Sequence, residues 1–291
     1  MPRRWHLLVL ALLGVFALAC EGGAGAAGEP SPTEGRTRPP SSSASRYPAS
    51  MAALGDSITA GVGSCLAYLA CAKNSWATGD GDGVQSHYQR ILAKNSKIKG
   101  HVYDFAEPGA ESDALAAQAL RAVDAEVRYV TVLIGANDAC AGQVGDMTPV
   151  ATFRGRVDRA LATLRKGLPK ARVLVASIPD LYRLWQVGRD EPSAVRLWDS
   201  LGICPSMLAD PTSTASADNR RRRAVRDRID AYDEVLRAAC ARYGSRCRWD
   251  GGKVHDLRFT LDLVSPLDYF HPSLAGQNEL AERTYPGSFT W

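Results

Sequence analysis

Short apolar runs, each stopped by a small polar turn, constrain what this chain can fold into. Met51–Leu54 ends at Gly55-Asp56-Ser57, and Tyr129–Ile134 ends at Gly135-Ala136-Asn137-Asp138. Arg172–Ile178 is stopped by Pro179. Runs of this length without polar alternation read as strands buried on both faces. His101–Phe105 and Arg246–Trp249 add two shorter strand candidates. Helical spacing fills the intervals. Val84, Tyr88, Ile91 and Leu92 mark one face, and Ala114–Val123 is alanine-rich. Thr148-Pro149 caps a helix with proline in its first turn, and Val150, Phe153, Val157, Leu161, Leu164 and Leu168 share its apolar face. Val225, Ile229, Tyr232, Leu236 and Ala239 form another stripe, ending near Gly244. Pro272 to Thr284 reads as a closing helix. Strands alternating with helices imply a mostly parallel sheet covered on both faces, a three-layer α/β/α arrangement.

In such sheets, sites gather at the carboxyl ends of strands. Ser57, Gly109 and Asn137 all fall just after predicted strands. A serine hydroxyl is a weak nucleophile until a base takes its proton. Asp268-Tyr269-Phe270-His271-Pro272 supplies a candidate base. Asp268 and His271 are three apart, so a helical turn would place them on one side. A carboxylate beside a histidine fixes its tautomer and supports the imidazolium. Each piece has a plainer reading: an isolated Asp-x-x-His is a surface pair, and Asn137 suits a strand-end turn. His255-Asp256 is a rival base pair, and Asp56 is expected to orient the Ser57 loop. The G-x-S-x-G elbow of α/β-hydrolases is absent, because Thr59 occupies its last glycine position.

Gly55-Asp56-Ser57, Gly109, Gly135-Ala136-Asn137-Asp138 and Asp268-Tyr269-Phe270-His271-Pro272 together resemble the SGNH, or GDSL, hydrolase family in order and spacing. The resemblance runs from about Met51 to the C-terminus. Asn74-Ser75-Trp76-Ala77-Thr78-Gly79 and the cysteine pattern resemble secreted actinobacterial esterase and lipase-like members. It implies a flavodoxin-like fold and carboxylic ester hydrolysis without metal or organic cofactor. It implies Ser57 as nucleophile, His271 as base and Asp268 as the orienting carboxylate. Backbone N–H groups of Ser57 and Gly109 and the Asn137 side chain would form the oxyanion hole. One departure is that Asp104-Phe105-Ala106-Glu107-Pro108 precedes Gly109, where the family usually carries an asparagine. The same site would serve a deacetylase of O-acetylated polysaccharide, a phospholipase or an acyl-transferring member. From a different class, the chain would be a catalytically silent envelope-binding protein.

The N-terminus reads as export machinery. Arg3 and Arg4 precede an apolar run, Leu7 to Ala19, that ends in Ala17-Leu18-Ala19-Cys20. This is a signal peptide over residues 1–19, too short for a comfortable membrane span. Cys20 is a candidate for lipidation, which would tether the protein to the outer face of the cell membrane; ordinary cleavage would release it. Residues 20–48 read as a disordered Gly/Ala/Ser/Pro-rich linker, leaving 49–291 as one hydrolase domain. Setting Cys20 aside, Cys65, Cys71, Cys140, Cys204, Cys240 and Cys247 remain. An even number in an exported chain favours disulfides over free thiols, although six cysteines allow 15 pairings. The close pairs Cys65–Cys71 and Cys240–Cys247 would staple local loops, and Cys140–Cys204 would tie two strand exits together. No C-x-x-C pair or matching histidine cluster suggests a metal.

A net charge of +4 implies no polyelectrolyte partner. Arg220-Arg221-Arg222-Arg223 reads as a solvated helix face, not a nucleic-acid surface. The chain is expected to be a monomer acting on a small-molecule, lipid or glycan ester. Asp180 to Ala217 is long and mixed, with room for a short helix, and reads as a lid or rim. Within it Leu184, Trp185, Leu197 and Trp198 would either line an acyl pocket or form core.

Overall fold

A computed structural model describes residues 46–291. The signal peptide, Cys20 and nearly all of the linker expected from the sequence lie outside the described residues. Tyr47 already packs edge-on against Phe289, with ring centroids 5.7 Å apart.

Five strands form the sheet: β1 (Met51–Gly55), β2 (Val102–Asp104), β3 (Tyr129–Leu133), β4 (Arg172–Val175) and β5 (Cys247–Trp249). Their order is β2-β1-β3-β4-β5, and every pair is parallel. Every residue of β1 and β3 is buried, as continuous apolar runs require. Among the described residues, nine α-helices lie between and after them: α1 (His87–Leu92), α2 (Leu115–Asp124), α3 (Ala136–Ala139), α4 (Val150–Gly167), α5 (Leu181–Gly188), α6 (Pro192–Leu201), α7 (Pro205–Leu208), α8 (Ser216–Tyr243) and α9 (Leu274–Thr284). Parallel crossovers are right-handed. The chain moves one way from β1 to β2 and the other way from β2 onward, so α1 covers one face while α2, α4 and α8 cover the other. His87 of α1 bonds Thr284 of α9, which places α9 with α1. The fold is the flavodoxin-like three-layer α/β/α arrangement.

Local signals set several boundaries. Ser86, Asp180 and Ser273 cap α1, α5 and α9 by accepting backbone N–H bonds. Gly244 follows α8 at φ +103°. The expected cap of α4 shifts by one: Pro149 is the N-cap, without a side-chain bond. The Thr148 hydroxyl instead lies between Glu111 and Arg156.

The segment from Asp180 to Ala217 has more structure than the one short helix expected. It holds three helices, and Leu184, Trp185 and Trp198 are buried, so these side chains are core; Leu197 is half-buried. Nor is the arginine run a uniform solvated face. Arg220 and Arg223 are exposed, but Arg222 is fully buried. Its guanidinium lies 4.4 Å from the Trp185 ring centroid and donates to the Ser213 carbonyl at 2.9 Å and the Asp210 carbonyl at 2.5 Å. Arg221 donates to the Pro205, Ser206 and Ala209 carbonyls. A chain turning through the irregular 205–213 stretch leaves carbonyls without ladder partners, and these two arginines satisfy them. Among the described residues there are three disulfides, Cys65–Cys71, Cys140–Cys204 and Cys240–Cys247.

Candidate active site

The strand order reverses between β1 and β3, and the crevice at their carboxyl ends is where α/β sheets bind ligands. Ser57 follows β1 by two residues, and Asn137 lies in α3 directly beyond β3. The exit from β1 is held from the side. Gln118 of α2 accepts the Gly55 N–H at 2.8 Å and donates to the Gly55 carbonyl at 2.9 Å. A Cβ on Gly55 would lie 2.4 Å from the Leu133 carbonyl oxygen, so only glycine lets β1 and β3 close here. Asp56 Oδ1 accepts the Ile58 N–H at 2.9 Å, which turns the chain beneath Ser57. Its other oxygen is buried without a partner, and burial raises its pKa to about 7.

His271 arrives from the connection between β5 and α9. Its Nε2 lies 2.9 Å from Ser57 Oγ, and its Nδ1 lies 2.6 Å from Asp268 Oδ2. Asp268 and His271 meet through a tight turn, not a helical one. Asp268 Oδ1 accepts the Phe270 and His271 N–H groups at 2.8 and 3.0 Å, and Tyr269 between them takes φ +51°. The turn is tied at its base, where the His271 carbonyl accepts the Ser265 N–H at 2.8 Å. Trp198 of α6 donates from its indole to the Tyr269 carbonyl at 3.3 Å. Asp268 is buried, while His271 stays partly open to solvent. A hydroxyl bonded to an imidazole whose far nitrogen faces a carboxylate can pass its proton to that imidazole.

Gly109 sits at φ +79° in the turn Glu107-Pro108-Gly109-Ala110, closed by the Ala110 N–H on the Glu107 carbonyl at 3.0 Å. Proline followed by a positive-φ glycine is the type II pattern. The departure at Asp104 leaves this turn formed. Asp104 is bonded to Thr78 at 2.8 Å, and burial raises its pKa to about 6. The Asn137 amide donates to the Ala110 carbonyl at 2.9 Å, joining α3 to the glycine turn. An amide has a second N–H to give. Among the described residues, the backbone N–H groups of Ser57 and Gly109 donate to no hydrogen bond.

Some residues that shape the site escaped sequence reasoning. Asp138 accepts both the N–H and the hydroxyl of Ser112, at 2.8 and 2.6 Å, and bonds Arg156 at 3.4 Å. Burial raises its pKa. Its place beside Asn137 was the available signal. Gln118 interrupts the apolar face of α2 formed by Leu115, Ala119 and Ala122, and a polar residue there is the signal for a buried clamp. The rival base His255 pairs with Asp233 Oδ2 at 3.0 Å and Asp230 Oδ1 at 3.3 Å, not with Asp256. The Asp233 bond raises its pKa. Among the described residues, no group of three His, Cys, Asp or Glu side chains could hold a metal ion.

The parallel sheet and the polar cluster at its carboxyl edge define a flavodoxin-like three-layer α/β/α protein with a serine–histidine–carboxylate site. The chain belongs to the GDSL-like lipase/acylhydrolase family, whose profile matches residues 53–278, and it is a carboxylic ester hydrolase. Similar solved structures include a psychrotrophic esterase from Pseudoalteromonas sp., at 13% identity, 81% of this chain, 94% of that one and a TM-score of 0.47. An extracellular lipase from Streptomyces rimosus matches at 17% identity over 81% of this chain and 99% of that one, with a TM-score of 0.49. Phospholipase A1 from Streptomyces albidoflavus matches at 19% identity over 81% and 98%, with a TM-score of 0.44. No curated protein matches the sequence.

Proposed function

We propose that this protein is an exported serine esterase using Ser57, His271 and Asp268. The carrying observation is the pair of contacts on one imidazole: Nε2 to Ser57 Oγ at 2.9 Å and Nδ1 to Asp268 at 2.6 Å. Ser57 Oγ attacks the ester carbonyl as His271 takes its proton. His271 then gives that proton to the departing alcohol, leaving an acyl group on Ser57. Water, deprotonated by His271, releases the acid and restores the serine. Asp268 holds the tautomer and supports the imidazolium. The Ser57 and Gly109 N–H groups and the free N–H of Asn137 receive the developing oxyanion; each such donor is typically worth about 2.7–4 kcal/mol. The residues 1–19 leader and the disulfides support export from the cytoplasm, with 49–291 as the catalytic domain.

The test is a fluorophosphonate that phosphonylates serine with loss of fluoride. Intact-mass analysis should show one adduct on the wild-type chain, mapped to Ser57, with ester hydrolysis lost in step. Ser57→Ala should take no label and show no hydrolysis while keeping its circular dichroism spectrum. A folded Ser57→Ala protein that still hydrolyses esters would sink the assignment.

A further inference from the structure

The loop closed by Cys65 and Cys71 reads Cys65-Leu66-Ala67-Tyr68-Leu69-Ala70-Cys71 and carries no charged side chain. Leu66 is 69% exposed, Tyr68 57% and Leu69 72%. Among the described residues, the other exposed large apolar side chains, Leu120, Leu201 and Leu261, stand singly on three separate elements. Scattered exposed leucines need no explanation, whereas a cluster does. Leu66 also takes φ +55°. Bulky residues avoid that region, so the loop holds this leucine outward at a conformational cost.

The patch is fastened to the loop that carries Asp268 and His271. The Tyr68 hydroxyl donates to the Leu267 carbonyl. Ser265 Oγ donates to the Gly63 carbonyl at 3.0 Å. A Cβ on Gly63 would lie 3.4 Å from the His271 Cβ, so the chain entering the disulfide loop runs against the histidine itself.

We infer that Leu66 and Leu69 seat the enzyme on the surface of an aggregated, uncharged lipid ester, bringing the rim of the site to its insoluble substrate. This inference rests on ester hydrolysis at Ser57 and specifies the physical form of the substrate. An uncharged loop offers nothing to a polyanion or a charged headgroup. A second copy of the chain would need roughly 20–30 residues a side, and this patch has three large side chains. A droplet surface needs only apolar side chains that leave water.

Tributyrin presents one ester in two forms, dissolved below its solubility limit and as droplets above it. Wild type, Leu66→Ser/Leu69→Ser and the control Leu120→Ser should share one kcat/KM on dissolved ester. On droplets at limiting area, the double variant should be at least tenfold slower and the control unchanged. Flotation with triolein droplets, run on Ser57→Ala chains, should recover the single variant and lose the chain that also carries both leucine changes. Leu69→Ser alone keeps the test open should the double variant fail to fold. Equal droplet rates and equal flotation overturn the inference, as does an equal loss from Leu120→Ser. A wild-type dimer that the double variant abolishes also overturns it, by placing a second copy on the loop. Failure of the wild type to hydrolyse dissolved tributyrin would instead strike the esterase reading, while flotation still decides the docking.

Discussion

His271 Nε2 lies 2.9 Å from Ser57 Oγ although 214 residues separate them. The serine is delivered by β1, and the histidine by a turn tied to Ser265 and Trp198. The contact therefore depends on how well that turn is held.

On the proposed mechanism His271→Ala should cost more than Asp268→Ala, because there the histidine carries the proton and the carboxylate only orients it. The expected losses in kcat are about 10⁶-fold and about 10⁴-fold, following the ordering seen in serine triads. Rates for both folded variants on one aryl ester near neutral pH check this. An Asp268→Ala loss equal to that of His271→Ala would mean that the carboxylate does more than orient.

With Asn137 as a proposed oxyanion donor, Asn137→Ala should lower kcat about 10²–10³-fold with little change in KM, since such a donor acts chiefly in the transition state. Steady-state kinetics separate the two parameters. A raised KM at unchanged kcat would assign Asn137 to ground-state binding.

Trp198→Phe keeps the buried ring but deletes the indole N–H on the Tyr269 carbonyl. One neutral hydrogen bond is worth about 1 kcal/mol, so kcat should fall roughly fivefold. Thermal denaturation run beside the kinetics tests positioning: a fall in melting temperature with unchanged kcat would leave Trp198 a packing residue only.

Arg222→Leu should destabilise the fold by about 3 kcal/mol or more, because the Ser213 and Asp210 carbonyls lose a charged donor in a buried setting. Urea unfolding measures the difference. Arg223→Leu, at an exposed position, should lie within about 0.5 kcal/mol of wild type.

His87 gives the fold a pH dependence whose sign is fixed. Burial, with a smaller effect from Arg90, lowers its pKa to about 3. The Thr284 hydroxyl donates to the Leu280 carbonyl, so His87 Nε2–H donates to Thr284 and Nδ1 accepts from Tyr129. Between pH ~6.5 and ~3 the unfolded chain binds a proton here that the folded chain refuses. Stability from this group is full above pH ~6.5 and falls by about 1.4 kcal/mol per unit as the pH drops. Asp56 and Asp104, with raised values, bind protons when folded and oppose this trend. The measurement is therefore the stability difference between wild type and His87→Gln, which should move by that slope below pH ~6.5. A difference that stays constant with pH would mean that His87 titrates normally.

The sequence by itself determined the layered architecture and where its strands end. Continuous apolar runs record burial on both faces, and Gly55-Asp56-Ser57, Gly109 and Gly135-Ala136-Asn137-Asp138 mark strand exits; these are local properties that need no partner to be legible. Periodicity along α8 likewise showed that Val225, Ile229, Tyr232, Leu236 and Ala239 are buried. It could not show what they are buried against. The tertiary structure decided whatever depends on a distant partner. Gln118 clamps Gly55 across 63 residues, Trp198 reaches Tyr269 across 71, and Arg222 is buried because Trp185 and the 209–213 carbonyls happen to meet it. It also replaced a helical Asp268–His271 pair with a tight turn, and the one short helix expected after Asp180 with three. A polar side chain in a core is stable only where its hydrogen bonds are met, and the groups that meet them are brought near by folding, not by spacing along the chain.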